Sequence, residues 1–158
     1  MSVVINISKT YYKPSQTYSK LFAAGASEKK NLAYLVGGCV ISFVAQWPAQ
    51  SRQAFINQQP VDELMGAILL SNLFLLPLIF YLVSAIIFII SKIFKSNILG
   101  VELRLIIFWS YLAATPILLL VGLVEGFFGK NYQYYTVAGL WLSVFVVFVY
   151  LGFRVRSK

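Results

Sequence analysis

Few side chains in this sequence could carry out acid, base or metal chemistry. The 158 residues include five Asp and Glu residues, one cysteine and no histidine. Haem ligation by histidine, His-type zinc sites and His-based acid–base catalysis are therefore excluded. The cysteine, Cys39, lies in an apolar run, where a thiol without a positive neighbour stays protonated and packs as a small residue. We predict no catalytic, cofactor-binding or metal-binding residue and no enzymatic activity.

Glu125 is the acidic residue with the most informative position. It follows an apolar run and is flanked by Gly122 and Gly126, a small-xxx-small pair that allows close approach of another helix. A charge in the middle of a bilayer costs about 2.5 to 3.5 kcal/mol. Because Glu125 follows Leu105 by about twenty residues, or about 30 Å of helix, we expect it near the far interface. It is then too distant from Arg104 to act with it as an acid–base pair, and partner binding and ion relay are the alternatives for Glu125.

The composition predicts the medium in which these residues work. Hydrophobic residues make up 59% of the chain and charged residues 11%, whereas soluble domains contain about 25% charged residues. The apolar residues are concentrated in runs long enough to cross a bilayer as helices. The sequence predicts an all-α, polytopic membrane helix bundle with four spans at residues 31–47, 64–90, 105–124 and 135–153, the first ending at Pro48 and followed by a polar loop to Glu63.

Several small, polar and helix-bending residues lie within the predicted spans. Adjacent glycines make a smooth face on the first span, and prolines provide bend points in the second and third. We interpret Asn72 as an interhelical hydrogen-bonding residue, with a place on a transport path as the alternative. The predicted helix-packing or partner-binding residues are Gly37, Gly38, Asn72, Pro77, Tyr111, Pro116, Gly122, Glu125 and Gly126.

The N-terminal segment, residues 1–30, is polar and basic. On a single helix its apolar residues would share one face and its lysines the opposite face, as in a helix that lies on a membrane surface. The apolar set is Val4, Ile7, Tyr11, Tyr18, Leu21 and Phe22, and the basic set is Lys9, Lys13 and Lys20. Because Pro14 disfavours a continuous helix, we expect a loose strand or turn up to Lys13 and an interfacial helix from Pro14 or Ser15. A disordered basic tail is the alternative.

The distribution of basic residues predicts the orientation. Eleven Lys and Arg residues fall on the side that holds both termini and two on the other, which places both termini in the cytoplasm. With this placement, the net charge of +8 indicates the membrane surface and not nucleic acid. The predicted lipid-headgroup or cytoplasmic anchors are Lys9, Lys13, Lys20, Lys92, Lys95, Arg104, Arg154 and Arg156, the last two within a basic tail at residues 154–158.

The order of several residues resembles a known family. Pro14 precedes Leu21-Phe22-Ala-Ala-Gly25, and a first span and a long second span are followed by Gly100, Arg104, Tyr111 and Pro116. This order resembles the Yip domain family of Ypt/Rab-interacting-protein-like membrane proteins, in particular its short bacterial members. The resemblance implies a multi-pass helical domain of the bacterial inner membrane without enzymatic activity.

Three functions fit these observations. The first is a non-catalytic protein that associates with lipids, with another membrane protein or with itself, in a scaffold, assembly or trafficking-like role. The second is a small transporter or channel component, in which Asn72 and Glu125 line a path beside Pro77 and Pro116. The third is an accessory subunit of a larger energy-converting membrane complex that binds no cofactor itself.

Overall fold

The computed structural model describes residues 3–93 and 97–156, and every regular element in these ranges is a helix. This confirms the predicted all-α class. The helices are α1 (Val3–Tyr12), α2 (Pro14–Ala23), α3 (Glu28–Asn57), α4 (Val61–Leu70), α5 (Leu76–Ile93), α6 (Gly100–Phe128) and α7 (Tyr132–Arg156), with a π-helical turn, Ser71–Leu75, that joins α4 to α5.

Four helical segments of the described chain are long and apolar enough to cross a membrane. They are α3, the continuous α4–π–α5 segment, α6 and α7, and each contains one predicted span. The predicted spans are shorter because they cover only the apolar runs, whereas the helices continue into polar residues at their ends.

The first helix does not end at Pro48, where the sequence predicted the end of the first span and the start of a loop. α3 continues through Pro48 to Asn57, and the left-handed backbone of Gln58, with a φ of 52°, ends it. A proline removes only one backbone donor from a helix. Here Pro48 packs against Gly126 of α6, where an added Cβ would lie 2.5 Å from the proline Cβ. The interhelical contact thus involves the proline itself, and much of the predicted polar loop is helical.

α6 lies at the centre of the bundle. Every residue from Leu105 to Thr115 is buried, because α3, α5, α7 and the N-terminal helices pack around this segment. A helix that is apolar on all sides requires such enclosure by protein or by lipid. α6 therefore provides the surface on which the other helices are arranged.

The α4–π–α5 segment lies at the periphery and turns two polar residues inward. Its buried side chains are Asn72 and Ser84, whereas large aliphatic residues such as Leu82 are exposed. In water this arrangement would be inverted, so it indicates lipid as the surrounding medium. The π-helical turn ends two residues before Pro77, which has no N–H and so interrupts the regular hydrogen bonding of the helix in this region.

The N-terminal segment forms two helices separated at Lys13. Pro14 disfavours helical geometry at the preceding residue, and Lys13 has φ −141° and ψ 64°. α2 begins at Pro14, as predicted, but the residues before it are helical and not a loose strand or turn. Tyr18 and Leu21 are buried against the bundle and not laid on a bilayer surface, whereas Val4 is 70% exposed. The α1–α2 hairpin is thus docked onto the spans.

Candidate functional site

The glycines of α3 and α6 mediate contacts within the chain. A Cβ on Gly122 would lie 1.7 Å from the carbonyl oxygen of Ala45, so the backbones of α6 and α3 touch at this point. A Cβ on Gly38 would lie 2.6 Å from the ring of Tyr111. Gly37 makes an ordinary contact, 3.7 Å from Leu112. These surfaces are covered by neighbouring helices of the same molecule.

The Tyr111 ring belongs to a group of aromatic side chains between α5, α6 and α7. Its ring centroid lies 4.4 Å from that of Phe80, and Phe80 also contacts Phe108 and Phe145. The rings pack at inclined angles, as aromatic pairs prefer. Tyr111, predicted from the sequence as a packing or partner residue, is 2% exposed and packs inside the chain.

Three hydrogen bonds fix the N-terminal hairpin to one stretch of α6. The indole N–H of Trp109 donates to the hydroxyl of Thr10 at 3.2 Å, and the hydroxyl of Tyr11 donates to the carbonyl of Ala113 at 2.9 Å. The hydroxyls of Tyr18 and Ser110 lie 2.7 Å apart. Because Ser110 donates its own proton to the Ile106 carbonyl, Tyr18 is the donor in this pair.

Pro116 has no backbone N–H, and the hydroxyls of Thr115 and Tyr11 donate hydrogen bonds to carbonyls in the preceding turn of α6. Pro116 cannot donate to the carbonyl of Leu112, and the Thr115 hydroxyl donates there instead, at 2.7 Å. The next carbonyl, that of Ala113, receives the Tyr11 hydroxyl. The predicted bend residue is thus also the point at which the hairpin attaches to α6.

Burial raises the pKa of both tyrosines that attach the hairpin. For Tyr18 the hydrogen bond with Ser110 acts in the opposite direction, but desolvation is the larger effect. For Tyr11 the cause is desolvation alone. Both hydroxyls therefore stay protonated at neutral pH and can donate the hydrogen bonds described above.

Asn72 makes the interhelical hydrogen bond expected of it. Its side-chain oxygen accepts from the amide of Gln46 on α3 at 3.2 Å, and its own amide donates to the Ile68 carbonyl at 3.0 Å. Gln46 also approaches Ser42 one turn earlier on α3. Gln46 was not predicted from the sequence, although an amide inside an apolar span itself indicates a polar partner.

Glu125 lies at the opposite end of α6 from Arg104. Its carboxylate is 3.8 Å from the Lys130 amine, and it borders a cavity of about 240 Å³ beside Ala49 and Arg52 of α3. The Arg52 guanidinium donates to the Phe127 carbonyl in the last turn of α6. Asn72 contacts α3 at Gln46, less than one turn before Ala49, and no hydrogen bond among the described residues joins Asn72 to Glu125.

Two ion pairs join helices at the Arg104 end. Arg104 forms a bidentate pair with Glu28 of α3, and Arg156 of α7 pairs with Glu102 of α6 at 2.8 Å. Both arginines were predicted as membrane anchors, and both bind carboxylates of the same chain. The start of α3 and the end of α7 are both ion-paired to the first turns of α6. The first and the last of the four membrane-spanning helices therefore have these ends on the same side of the bundle.

The other predicted anchors in the described chain have separate surroundings. Lys9, Lys13 and Lys20 line a cleft between α1 and α2. The Lys92 amine lies 5.3 Å from the centre of the Phe88 ring. Arg154 lies in the last turn of α7, and Lys95 falls outside the described residues. Within the described chain no group of three or more Cys, Asp and Glu side chains could hold a metal ion.

A small-residue face of α7 is uncovered. Gly139 and Ser143 lie one turn apart on α7 and are exposed, and a Cβ on Gly139 would meet no atom within 4 Å. The Ser143 hydroxyl donates to the Gly139 carbonyl at 2.8 Å, which leaves the helix surface smooth. This pair was not predicted from the sequence, although its spacing is the same as that of Gly122 and Gly126.

The chain matches no protein-family model, no curated protein and no solved structure. The resemblance to the Yip domain family therefore stays a prediction that depends only on the residues quoted for it.

Proposed function

We propose that this chain is a non-catalytic, multi-pass protein of the bacterial inner membrane that acts by associating with another membrane-embedded helix. The observation that carries the proposal is the exposed Gly139–Ser143 face of α7. Small-xxx-small faces drive association of helices in membranes, because they let two backbones approach closely. The small-residue faces at Gly38, Gly122 and Gly126 are already occupied by the chain's own helices.

The position of this face suits contact within the bilayer. Ser143 precedes Arg156 by 13 residues, or about 20 Å along a helix. If Arg156 lies at headgroup level, Ser143 lies within a hydrocarbon core of about 30 Å. Lipid chains gain little from a smooth groove, whereas a second helix gains dispersion contacts along its length. A second copy of this chain or a span of another membrane protein fits equally well.

Crosslinking in intact membranes tests the association. In a Cys39→Ala background, Ser143→Cys is labelled with a short photoreactive group, and Leu82→Cys on the exposed face of α5 serves as the matched control. We expect defined protein adducts, either a dimer of the chain or one recurrent partner, from position 143 and lipid adducts from position 82. Only lipid adducts at both positions would contradict the proposal.

We further propose that both termini are cytoplasmic. The charge distribution supports this orientation, and the two ion pairs at one end of the bundle fit it. Reporter fusions at each terminus test it, and a periplasmic signal from either end would contradict it.

A further inference from the structure

The cleft between α1 and α2 concentrates positive charge without a counter-charge from its own helices. It has a volume of about 390 Å³, and its lining includes Lys9, Lys13 and Lys20 together with the polar side chains of Asn6 and Gln16. α1 and α2 contain no Asp or Glu residue, and no carboxylate lines the cleft. The amines of this cleft therefore repel one another unless an anion lies between them.

The helix break at Lys13 creates the concave shape. Pro14 ends α1 and begins α2, which brings lysines from both helices to the edges of one cleft. The first turn of α2 also borders the cleft through Gln16, and N–H groups in a first helical turn attract negative charge. Lysine amines and these N–H groups are the donors that proteins use for phosphate.

The opposite face of the hairpin holds the cleft in place. Thr10, Tyr11 and Tyr18 are hydrogen-bonded to α6, so the two helices cannot separate without breaking these bonds. A site whose donors are already positioned loses less conformational entropy when a ligand binds. The docked hairpin thus makes the lysine cleft a preformed site and not a loose basic tail.

The depth of the hairpin identifies the source of the phosphate. Tyr11 contacts Ala113, nine residues beyond Arg104 on α6, or about 14 Å along the helix. The Lys13 end of the cleft is therefore on the bilayer side of the Glu28–Arg104 ion pair, and long lysine side chains in such a position extend towards the headgroup phosphates. We propose that this cleft binds the phosphate of an anionic phospholipid. This site lies apart from the α7 face and does not depend on the proposed association.

Lipid retention by the purified full-length chain tests the site. The protein is equilibrated in bilayer discs of phosphatidylcholine with rising fractions of phosphatidylglycerol, and the lipids that stay bound are counted by native mass spectrometry. We expect one anionic lipid to be retained preferentially. Lys9→Gln with Lys13→Gln should weaken this preference roughly 25-fold, because each lysine near a membrane surface contributes about a factor of five. Lys9→Arg with Lys13→Arg should preserve it.

Matched variants and a soluble anion give the controls. Lys29→Gln with Lys30→Gln removes the same charge outside the cleft and should change the preference less than about twofold. Equal loss in both double variants would show a general charge effect and overturn the site. Inorganic phosphate that displaces the retained lipid at millimolar concentration, and binds the lipid-free chain as tightly, would overturn the assignment to a lipid.

Discussion

α6 and the α4–π–α5 segment are both long apolar helices of one chain, yet their surroundings are opposite. In the most apolar window of α6, 72% of residues are buried inside the protein, against 6% in that of α4–π–α5. The exposed segment is the more apolar of the two in sequence. In water the more apolar helix would be the buried one, because hydrophobic burial drives folding there. In lipid, an apolar side chain gains little by moving from the lipid-facing surface into the protein interior, because the acyl chains are equally apolar.

What distinguishes the two helices is their small and polar residues. α6 presents Gly122 and Gly126 to the backbone of α3, and it accepts or donates hydrogen bonds through Trp109, Ser110 and Ala113. The α4–π–α5 segment turns Asn72 and Ser84 inward and exposes its aliphatic residues. Packing in this bundle therefore follows close backbone contact and hydrogen bonding more than hydropathy.

The largest expected change in stability comes from Gly122→Ala, and Gly139→Ala is its matched comparison. Gly122→Ala places a Cβ inside the van der Waals radius of the Ala45 carbonyl, so α3 and α6 must separate, and we expect a loss of about 2 to 3 kcal/mol of stability. Gly139→Ala meets open space and should gain up to about 1 kcal/mol from helix propensity. Unfolding of the purified variants by a denaturing detergent measures both. Equal changes in stability for the two variants would contradict the conclusion that Gly122 is covered by α3 and Gly139 is uncovered.

The next largest loss of stability is expected when the hydrogen bond between Asn72 and Gln46 is removed. Asn72→Leu removes the interhelical acceptor of the Gln46 amide and leaves it only its longer contacts with Ser42, which should cost about 1 to 2 kcal/mol. Gln46→Leu should cost a similar amount. The double variant should lose clearly less than the sum, because no unpaired amide is left. Strict additivity of the two losses in the same unfolding measurement would show that the pair is not coupled.

A smaller effect is expected where the hairpin meets the Pro116 gap. Tyr11→Phe removes the donor to the Ala113 carbonyl and keeps the ring, so about 1 kcal/mol should be lost. Hydrogen–deuterium exchange should rise in α1 and α2 first, because this bond attaches the hairpin. Tyr12→Phe is the matched control, since Tyr12 is 86% exposed. Exchange that is unchanged by Tyr11→Phe, or raised equally by the control, would contradict the attachment.

The smallest effect is expected at the ion-paired end. The Arg104 side chain is 27% exposed and that of Glu28 is 47% exposed, so solvent screens much of their attraction. Arg104→Gln should therefore cost about 0.5 to 1 kcal/mol at low salt, and the difference from wild type should shrink as salt is added. The charge-reversed pair Glu28→Arg with Arg104→Glu should recover part of the loss. A larger penalty that does not respond to salt would point to a buried pair.

The sequence predicted the helical class and the four apolar runs, because length and hydropathy alone determine which segments can cross a bilayer. It did not predict that α3 continues through Pro48, since a proline in isolation indicates a helix end and only the contact with Gly126 shows otherwise. The Tyr11, Tyr18 and Leu21 face of the N-terminal segment was recognised. Its partner was not, because the same apolar face suits a bilayer surface or a groove between α6 and α7.

Charged and small residues of the candidate sites were predicted less well. Arg104 and Arg156 are equally good lipid anchors and ion-pair partners by type, and only the fold brings Glu28 and Glu102 to them. The glycine pair in α6 was identified by its spacing, but spacing cannot tell whether another helix of the chain already covers it. The uncovered Gly139–Ser143 pair carries the same local signal and became distinct only in the structure.

The contrast between an enclosed α6 and a lipid-facing α4–π–α5 segment can be measured directly on the unmodified chain. The protein in bilayers is exposed to a membrane-soluble carbene probe, and labelled positions are mapped by mass spectrometry. We expect strong labelling between residues 69 and 90, where large aliphatic side chains are exposed, and almost none between residues 105 and 115. Comparable labelling of the two segments would contradict the central place of α6 in this bundle.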